Sequence, residues 1–359
     1  MTANAADTPV RIVGVGPLPP PVGGTTVAFK LIQEALAQRS DASTVTVDTN
    51  GVRFGGMGGR LRLFPMLLQT YREARRADVI VLHCSTTALH IAAVLMVVVA
   101  RLARRPLIIR KFGGSDYTVF PAWKRRLADF AVTHADRYLL ETKYLVGLAE
   151  GRGLKHVSWF PNSRSVPEGG AALAGKGQAP CRRFVYFGLV EAGKGLREII
   201  EADALLPGDI VVDVYGPMGK DIAESDFGAC RRTKYHGTLQ PERVIPTLAD
   251  YDALILPTHH AGEGYPGAII EAFAAGLPVI CTKWVSLLEL VDDGAGMLIE
   301  AKDTGALVEA MSRMAQDQEL YARLCEGARR KRSDFSMARW TDWFVAQCRG
   351  LAAASNRPR

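Results

Sequence analysis

Short apolar runs alternate with helix-forming segments along nearly all of the 359 residues, and this alternation limits the fold more than any other feature. "VRIVGVG", "STVTVDT", "RRADVIVLHC", "RPLIIRKFGGSD", "ADRYLLET" and "HVSWFPNS" read as strands. "TTVAFKLIQEALAQ" and "LHIAAVLMVVVARLA" read as helices between them. Continuous apolar strands of four to eight residues are buried on both faces, and a strand–helix–strand order builds a parallel sheet covered by helices. The pattern breaks at "SVPEGGAALAGKGQAP" and then resumes with "RFVYFG", "IVVDVYG", "YDALILP" and "LPVICT". The expected fold is α/β, with two Rossmann-like doubly wound domains facing across a cleft. The expected boundaries are 1–165, a linker at 166–182, 183–335, and a C-terminal helix at 336–359 that could pack back on the first domain.

Length and composition agree with two soluble domains. Apolar residues make up 48% and charged residues 23%. The six cysteines are scattered without a Cys-x-x-Cys pair, which argues against zinc and a disulfide scaffold and points to a reducing cytoplasm. The polar start "MTANAADTPV" has no signal-peptide pattern. The longest apolar run, Ile91 to Ala100, is too short to span a bilayer. Net charge is +7 and uneven: Arg101 to Lys111 carries five cations, and Lys124, Arg125 and Arg126 follow Trp123. The first half is therefore expected to present basic, partly aromatic surface to an anionic partner, or else ordinary solvated helix faces. No nucleic-acid motif accompanies the charge, so nucleic acid is not an expected partner.

The stretch "PTHHAGEGYPGAIIEAFAAGLPVI" (Pro257 to Ile280) carries the chemistry. It reads as a loop after a strand, then a helix with Pro266 at its first position and Gly276 as its stop. Ligands of parallel sheets bind beyond the carboxyl ends of the strands. N–H groups of Gly267, Ala268 and Ile269 at the helix start form an anion site, and glycine allows close approach. Glu263 and Glu271 stand with seven residues between them. A carboxylate beside a phosphate site needs hydroxyls to hold, so Glu271 suits a ribose and Glu263 a second polyhydroxylated group. A helix with a glutamate on its wet face is the competing reading. Lys194, among Gly188, Gly193 and Gly195, sits in another strand-to-helix loop as a charge for phosphate, or as a solvated loop lysine. It is not a P-loop.

Gly23 and Gly24 follow the first strand; their backbone could approach a ligand across the cleft, and Gly24 is expected to bind the donor. Gly14-x-Gly16 is no dinucleotide fingerprint, because Pro19 stands where the third glycine belongs. His83 ends a strand, as ligand contact or core histidine. Gly114 and Asp116 lie in the "FGGSD" turn, where Asp116 could be only a helix cap. His259 and His260 lack a metal-ligand set, and no metal is expected.

With these residues in place, the chain resembles glycosyltransferase family 4, retaining enzymes of the GT-B architecture. "YHGTL", "YDALILPTHHAGEGYPGAIIEAFAAGLPVICT" and "LLELVDDGAGMLI" resemble its donor-binding half. "GPLPPPVGG" and "FPNS" resemble its N-terminal glycine loop and its Pro-Asn element. The resemblance implies a hexosyltransferase-type enzyme. Glu271 would hold the donor ribose, and Glu263 the transferred sugar. Tyr265, Pro266, Gly267 and Ala268 would lie near sugar and diphosphate, Lys194 would neutralise the leaving group, and backbone near Thr238 would meet the base. His83, Gly114 and Asp116 would stand on the acceptor side. The family commonly has an arginine where Leu189 stands, so another residue must supply that cation or the donor is held differently. It also commonly has a histidine where Gly113 stands. The implied reaction moves a sugar, with retention and without metal, to a saccharide on a polyprenyl diphosphate. That implies a nucleotide-sugar partner, an anionic membrane surface, and a cytoplasmic protein peripherally associated with the inner membrane that builds bacterial polysaccharide. An inert nucleotide-sugar-binding partner and a sugar-nucleotide epimerase are the alternatives on this fold.

Overall fold

The computed structural model describes residues 8–52, 57–165, 176–291 and 294–355. Most of the expected linker, 166–175, lies outside them. The chain divides into two compact units, Met1–Ser163 with Met337–Arg359, and Arg164–Ser336. Each is an α/β sandwich around a six-stranded parallel sheet. The fold class is the expected one, two Rossmann-like doubly wound units.

In the first unit β1 (Val10–Gly16), β2 (Ala42–Asp48), β3 (Val79–Ser85), β4 (Leu107–Phe112), β5 (Arg137–Leu140) and β6 (Val157–Trp159) lie in the order β2-β1-β3-β4-β5-β6. Alternate residues of β3 serve opposite faces: Ile80, Leu82 and Cys84 join one core cluster, Val79 and Val81 the other. That two-sided burial is why the strands read as unbroken apolar runs. Helices α1 (Gly24–Ala37), α2 (Met57–Ala74), α3 (Thr86–Ala103), α4 (Ala122–Thr133) and α5 (Lys143–Gly151) fill the connections.

Helix α3 differs from expectation. Ile91 to Ala100 is only its middle, because a π-helical turn at Leu89–Ala93 joins two helical pieces into 18 residues. Among the described residues it alone is long and apolar enough to cross a membrane, yet 56% of it is buried, with Leu89, Ala93, Met96, Val97 and Ala100 inside the core. Its composition answers to the sheet beneath it.

In the second unit β7 (Arg183–Phe187), β8 (Val211–Tyr215), β9 (Thr233–Tyr235), β10 (Ala253–Leu256), β11 (Val279–Thr282) and β12 (Gly296–Ile299) lie in the order β12-β11-β10-β7-β8-β9. Chain order reverses between β7 and β10, which are neighbours. The loops after such a pair diverge to opposite faces and leave a crevice at the strand ends, the usual ligand position in open parallel sheets. Helices α6 (Leu196–Ala202), α7 (Pro241–Leu248), α8 (Gly267–Ala274), α9 (Val285–Val291), α10 (Thr304–Gln316) and α11 (Gln318–Asp334) complete the unit. The last helix, α12 (Met337–Ser355), belongs to the first unit, where Trp340, Phe344, Val345 and Cys348 enter the core beside Phe29 and Phe160.

Candidate functional site

The loops after β7 and β10 are sewn together by backbone. Gly195 has φ +87, and a Cβ there would meet the carbonyl oxygen of Pro257 at 2.4 Å. Only glycine fits that conformation and that approach without strain. The His259 N–H donates to the Gly193 carbonyl at 3.0 Å, and Thr258 Oγ1 donates to the same oxygen at 3.3 Å. The contact carries Lys194, in a 3₁₀ turn at Ala192–Lys194, onto the Glu263 loop. Lys194 Nζ lies 2.5 Å from Glu263 Oε2. The same oxygen accepts from Thr258 Oγ1 at 2.8 Å, and Ser286 Oγ on α9 donates to the Glu263 carbonyl at 2.9 Å. Glu263 is 9% exposed, so its carboxylate is fixed by partners rather than by water. Charge-assisted bonds of this kind are the strong class.

Helix α8 begins one residue later than expected: Pro266 is its cap and Gly267 its first residue. Proline offers no side-chain cap, and the Gly267 and Ala268 N–H groups have no acceptor among the described residues. The Ile269 N–H folds back to the Pro266 carbonyl at 3.1 Å, so two of the three expected donors remain at the helix start. Tyr265 is buried, with its hydroxyl donating to a Glu289 carboxylate oxygen. Glu271, 9% exposed, faces Arg164, whose Nε lies 2.7 Å from Glu271 Oε1. Each carboxylate of the spaced pair thus holds one cation. Neither is a glutamate on a wet helix face, and Lys194 is not a solvated loop lysine. Thr238 is exposed in the segment after β9. Leu189 is 39% exposed and brings no charge. Arg164 had no signal beyond its place just after "FPNS", since its partner is 107 residues away.

The residues expected on the acceptor side, His83, Gly114 and Asp116, lie in the first unit, and so does Gly24, which was expected at the donor. Gly24 is the first residue of α1, and a Cβ there meets nothing within 4 Å. His83 lies in β3, 1% exposed, packed between Phe29 and Phe112 at 4.7 and 6.1 Å between ring centroids. Neither ring nitrogen has a hydrogen-bond partner among the described residues. Burial, and then the charge of Arg110, hold its pKa well below the ordinary value, so the ring is neutral. Asp116 does cap: Oδ1 accepts weakly from the Thr118 N–H at 3.4 Å, while Oδ2 pairs with Arg152 Nη1 at 2.6 Å. Gly114 lies in the turn before it, half-buried.

The expectation that Arg101 to Lys111 presents five cations at the surface is corrected. Arg110 and Lys111 lie inside β4, 3% and 1% exposed. The Arg110 guanidinium stacks over Phe112 and Phe160 at 4.5 and 4.3 Å, and its Nη2 donates to the Pro161 carbonyl at 3.2 Å. Lys111 Nζ donates to Gly113 O, Ser115 O and Thr86 Oγ1 at 2.9, 2.6 and 3.0 Å. These three acceptors tie down the glycine turn. Glu141 braces it from β5, accepting from the Gly113 N–H at 2.7 Å and Asn162 Nδ2 at 2.8 Å. Burial lowers the Lys111 ammonium to about 8, against the opposing charge of Glu141.

Residues 181–317 match the family model described as "Glycosyl transferases group 1". The chain is 27% identical over 237 residues to the putative teichuronic acid biosynthesis glycosyltransferase TuaC of Bacillus subtilis, covering 62% of this chain and 58% of that one. It is 27% identical over 142 residues to O-antigen chain mannosyltransferase B of Escherichia coli, covering 37% and 36%. These matches span less than two thirds of the relatives' own lengths. Among solved structures, Anabaena Alr3699/HepE in complex with UDP is similar at a TM-score of 0.74, with 18% identity, covering 95% of this chain and all of that one. The same protein with UDP-glucose gives 0.70 at 17% identity over 95% and 100%. What this chain shares with these proteins is a Glycosyl transferases group 1 domain in its second unit and the GT-B fold of two Rossmann-like units.

Proposed function

We propose that this chain is a retaining hexosyltransferase that moves a sugar from a nucleoside-diphosphate sugar to a saccharide carried on a polyprenyl diphosphate, in the synthesis of a bacterial surface polysaccharide. The observation that carries the reading is the Lys194–Glu263 pair, at the strand-order reversal and in the same unit as the uncapped start of α8. Cleavage of a glycosyl–phosphate bond separates charge: negative on the departing diphosphate, positive on the anomeric carbon. A fixed ammonium and carboxylate 2.5 Å apart form a dipole of matching sense. Such a dipole stabilises the transition state more than the ground state, because the charges it answers grow along the reaction. The free N–H groups of Gly267 and Ala268 add partial positive charge on the phosphate side. Glu271 holds the ribose. A leaving-group oxygen takes the acceptor proton on the same face, which gives retention, and lysine and helix dipole do the work of a metal. The relatives' names, which tie them to teichuronic acid and O-antigen chains, and the capture of HepE with UDP and UDP-glucose, support the substrate class.

The exposed Trp123, Leu127 and Phe130 of α4, beside Arg125 and Arg126, support a peripheral position on the cytoplasmic face of the inner membrane. The purified chain should gain melting temperature with one member of a nucleotide-sugar panel and release its nucleoside diphosphate in the presence of chelator. Nuclear magnetic resonance of the product should show the donor's anomeric configuration. No thermal shift and no turnover across the panel would overturn the transferase reading, inversion would overturn retention, and an absolute need for added divalent metal would overturn the lysine-and-helix account.

A further inference from the structure

A guanidinium stands at the start of α8, held there by the Glu271 carboxylate rather than by the helix end itself. The N-terminal end of a helix carries partial positive charge and favours anions. Yet Arg164 Nη2 lies only 2.4 Å from the point a Cβ on Gly267 would occupy. Glycine at 267 makes room for it: the nearest atom to the missing methyl is this nitrogen, and the next are the Arg164 Cζ and Glu271 Oε1, at 3.6 and 4.0 Å. Two contacts with described residues help to hold the arginine there. Its backbone N–H donates to the Phe335 carbonyl at 2.9 Å, and its Nε donates to Glu271 Oε1 at 2.7 Å. The Arg164 side chain is only 9% exposed and that of Glu271 12%, so the pair is withdrawn from water. Glu271 grips the Nε edge and so turns the Nη2 edge over the helix start. The Nη2 of a guanidinium whose Nε is bound to Glu271, the N–H groups of Gly267 and Ala268, and the helix dipole then share one place, and a diphosphate, more highly charged than one carboxylate, would be drawn to them.

We infer that Arg164 is the second cation for the donor diphosphate, positioned by Glu271, in a chain that has Leu189 where a cation is expected. This rests on the nucleoside-diphosphate-sugar reading above. Glu271 then has two jobs: its carboxylate meets the ribose and also aims Arg164 at the phosphates next to it. Guanidinium suits that task, since its planar fork bonds phosphate oxygens in pairs.

Calorimetry with uridine, UMP and UDP on wild type, Arg164→Gln and Arg164→Lys tests the assignment, and UDP is the probe because HepE is held with it. The readout is the preference for UDP over UMP, which a merely structural role of Arg164 would leave unchanged. Arg164→Gln should cut that preference by about tenfold or more, the size of one charge-assisted hydrogen bond, while uridine affinity stays near wild type. Arg164→Lys keeps an ion pair with Glu271 and guards against misfolding; it should retain part of the preference. An unchanged UDP/UMP ratio in both variants, with wild type binding UDP, overturns this inference alone. Equal loss of uridine, UMP and UDP assigns Arg164 to loop structure and also overturns it. If wild type binds no nucleoside diphosphate of any base, the functional reading falls and this one falls with it.

Discussion

Glu263 and Lys194 are tied to one another, so their substitutions should separate by what each measurement reads. Glu263→Gln keeps the Thr258 hydrogen bond in reach but removes the charge beside the sugar. It should lower turnover far more than nucleoside-diphosphate affinity, because the lost interaction grows only in the transition state. Equal losses would move Glu263 to the nucleotide. Lys194→Ala should slow transfer by at least about a hundredfold, the usual loss on removing one electrostatic stabiliser, and steady-state kinetics on the best donor measures it. Lys111 titrates in the other unit. Its folded pKa of about 8 lies below the ordinary 10.5, so between those values the unfolded chain holds more protons than the folded one. Stability from this group therefore rises with pH across about 8 to 10.5 and is at its lowest below about 8. Relative to Lys111→Met, the wild-type denaturation midpoint should climb from pH 7 to pH 10; a flat difference would show that its three oxygen acceptors keep the ammonium charged throughout. Glu263, Glu271 and Lys194 were legible because glycine and proline mark the turns that carry them. Arg164 and Lys111 were not, since an isolated cation in sequence looks the same whether it is solvated or buried against acceptors.

At the scale of elements, strands and helices were read from periodicity and punctuation, while their surfaces were not. Five cations between Arg101 and Lys111 looked like one basic surface, but the strand boundary divides them. The three in or after α3 reach solvent at least in part, and the two inside β4 do not. What remains outside is a stripe along α3 and α4, which pack side by side. Val98, Leu102, Trp123, Leu127 and Phe130 are exposed on it. Arg101 lies 5.9 Å over the Phe130 ring and Lys124 5.3 Å over that of Trp123. Arg125 and Arg126 are exposed beside them. Apolar side chains among cations suit an anionic lipid surface, where each charge contributes about 1 kcal/mol within a Debye length. The protein should sediment with anionic liposomes at low salt, release at high salt and ignore neutral liposomes. Reversing Lys124, Arg125 and Arg126 to glutamate should abolish sedimentation and leave activity on a short soluble acceptor. Absence of lipid-dependent sedimentation at any salt would remove the membrane from the proposal without touching the chemistry.

At the scale of the whole molecule, the chain order and the two units do not coincide, because α12 returns to the first unit after the second is complete. Its amphipathic pattern was readable in "MARWTDWFVAQCRGLAAA", and the depth of its burial was not, since a terminal helix packed on aromatic neighbours looks the same in sequence as one lying on a surface. The helix closes one face of the first sheet. Trp340, 5% exposed, meets Trp159, Phe160 and Trp343 edge-on at 5.0, 5.7 and 5.7 Å, and Phe344 stacks on Phe160 at 5.3 Å. Arg39 pairs with Asp342, and Arg349 Nη2 lies 3.2 Å from Asp41, which ties the middle of the helix to the α1–β2 connection. Trp340→Ala should therefore cost about 3–5 kcal/mol, the range for emptying a buried aromatic site, and the cost should fall on the first unit. Lys194, Glu263 and Glu271 belong to the other unit and have their own core. Denaturant titration followed by tryptophan fluorescence should show an earlier transition in the variant, because three of the four tryptophans it keeps, Trp123, Trp159 and Trp343, belong to the first unit. Calorimetry below that transition should find UDP binding intact. If UDP binding and the fluorescence transition are lost together at the same denaturant concentration, the two units unfold as one, and the expectation of separate transitions is wrong.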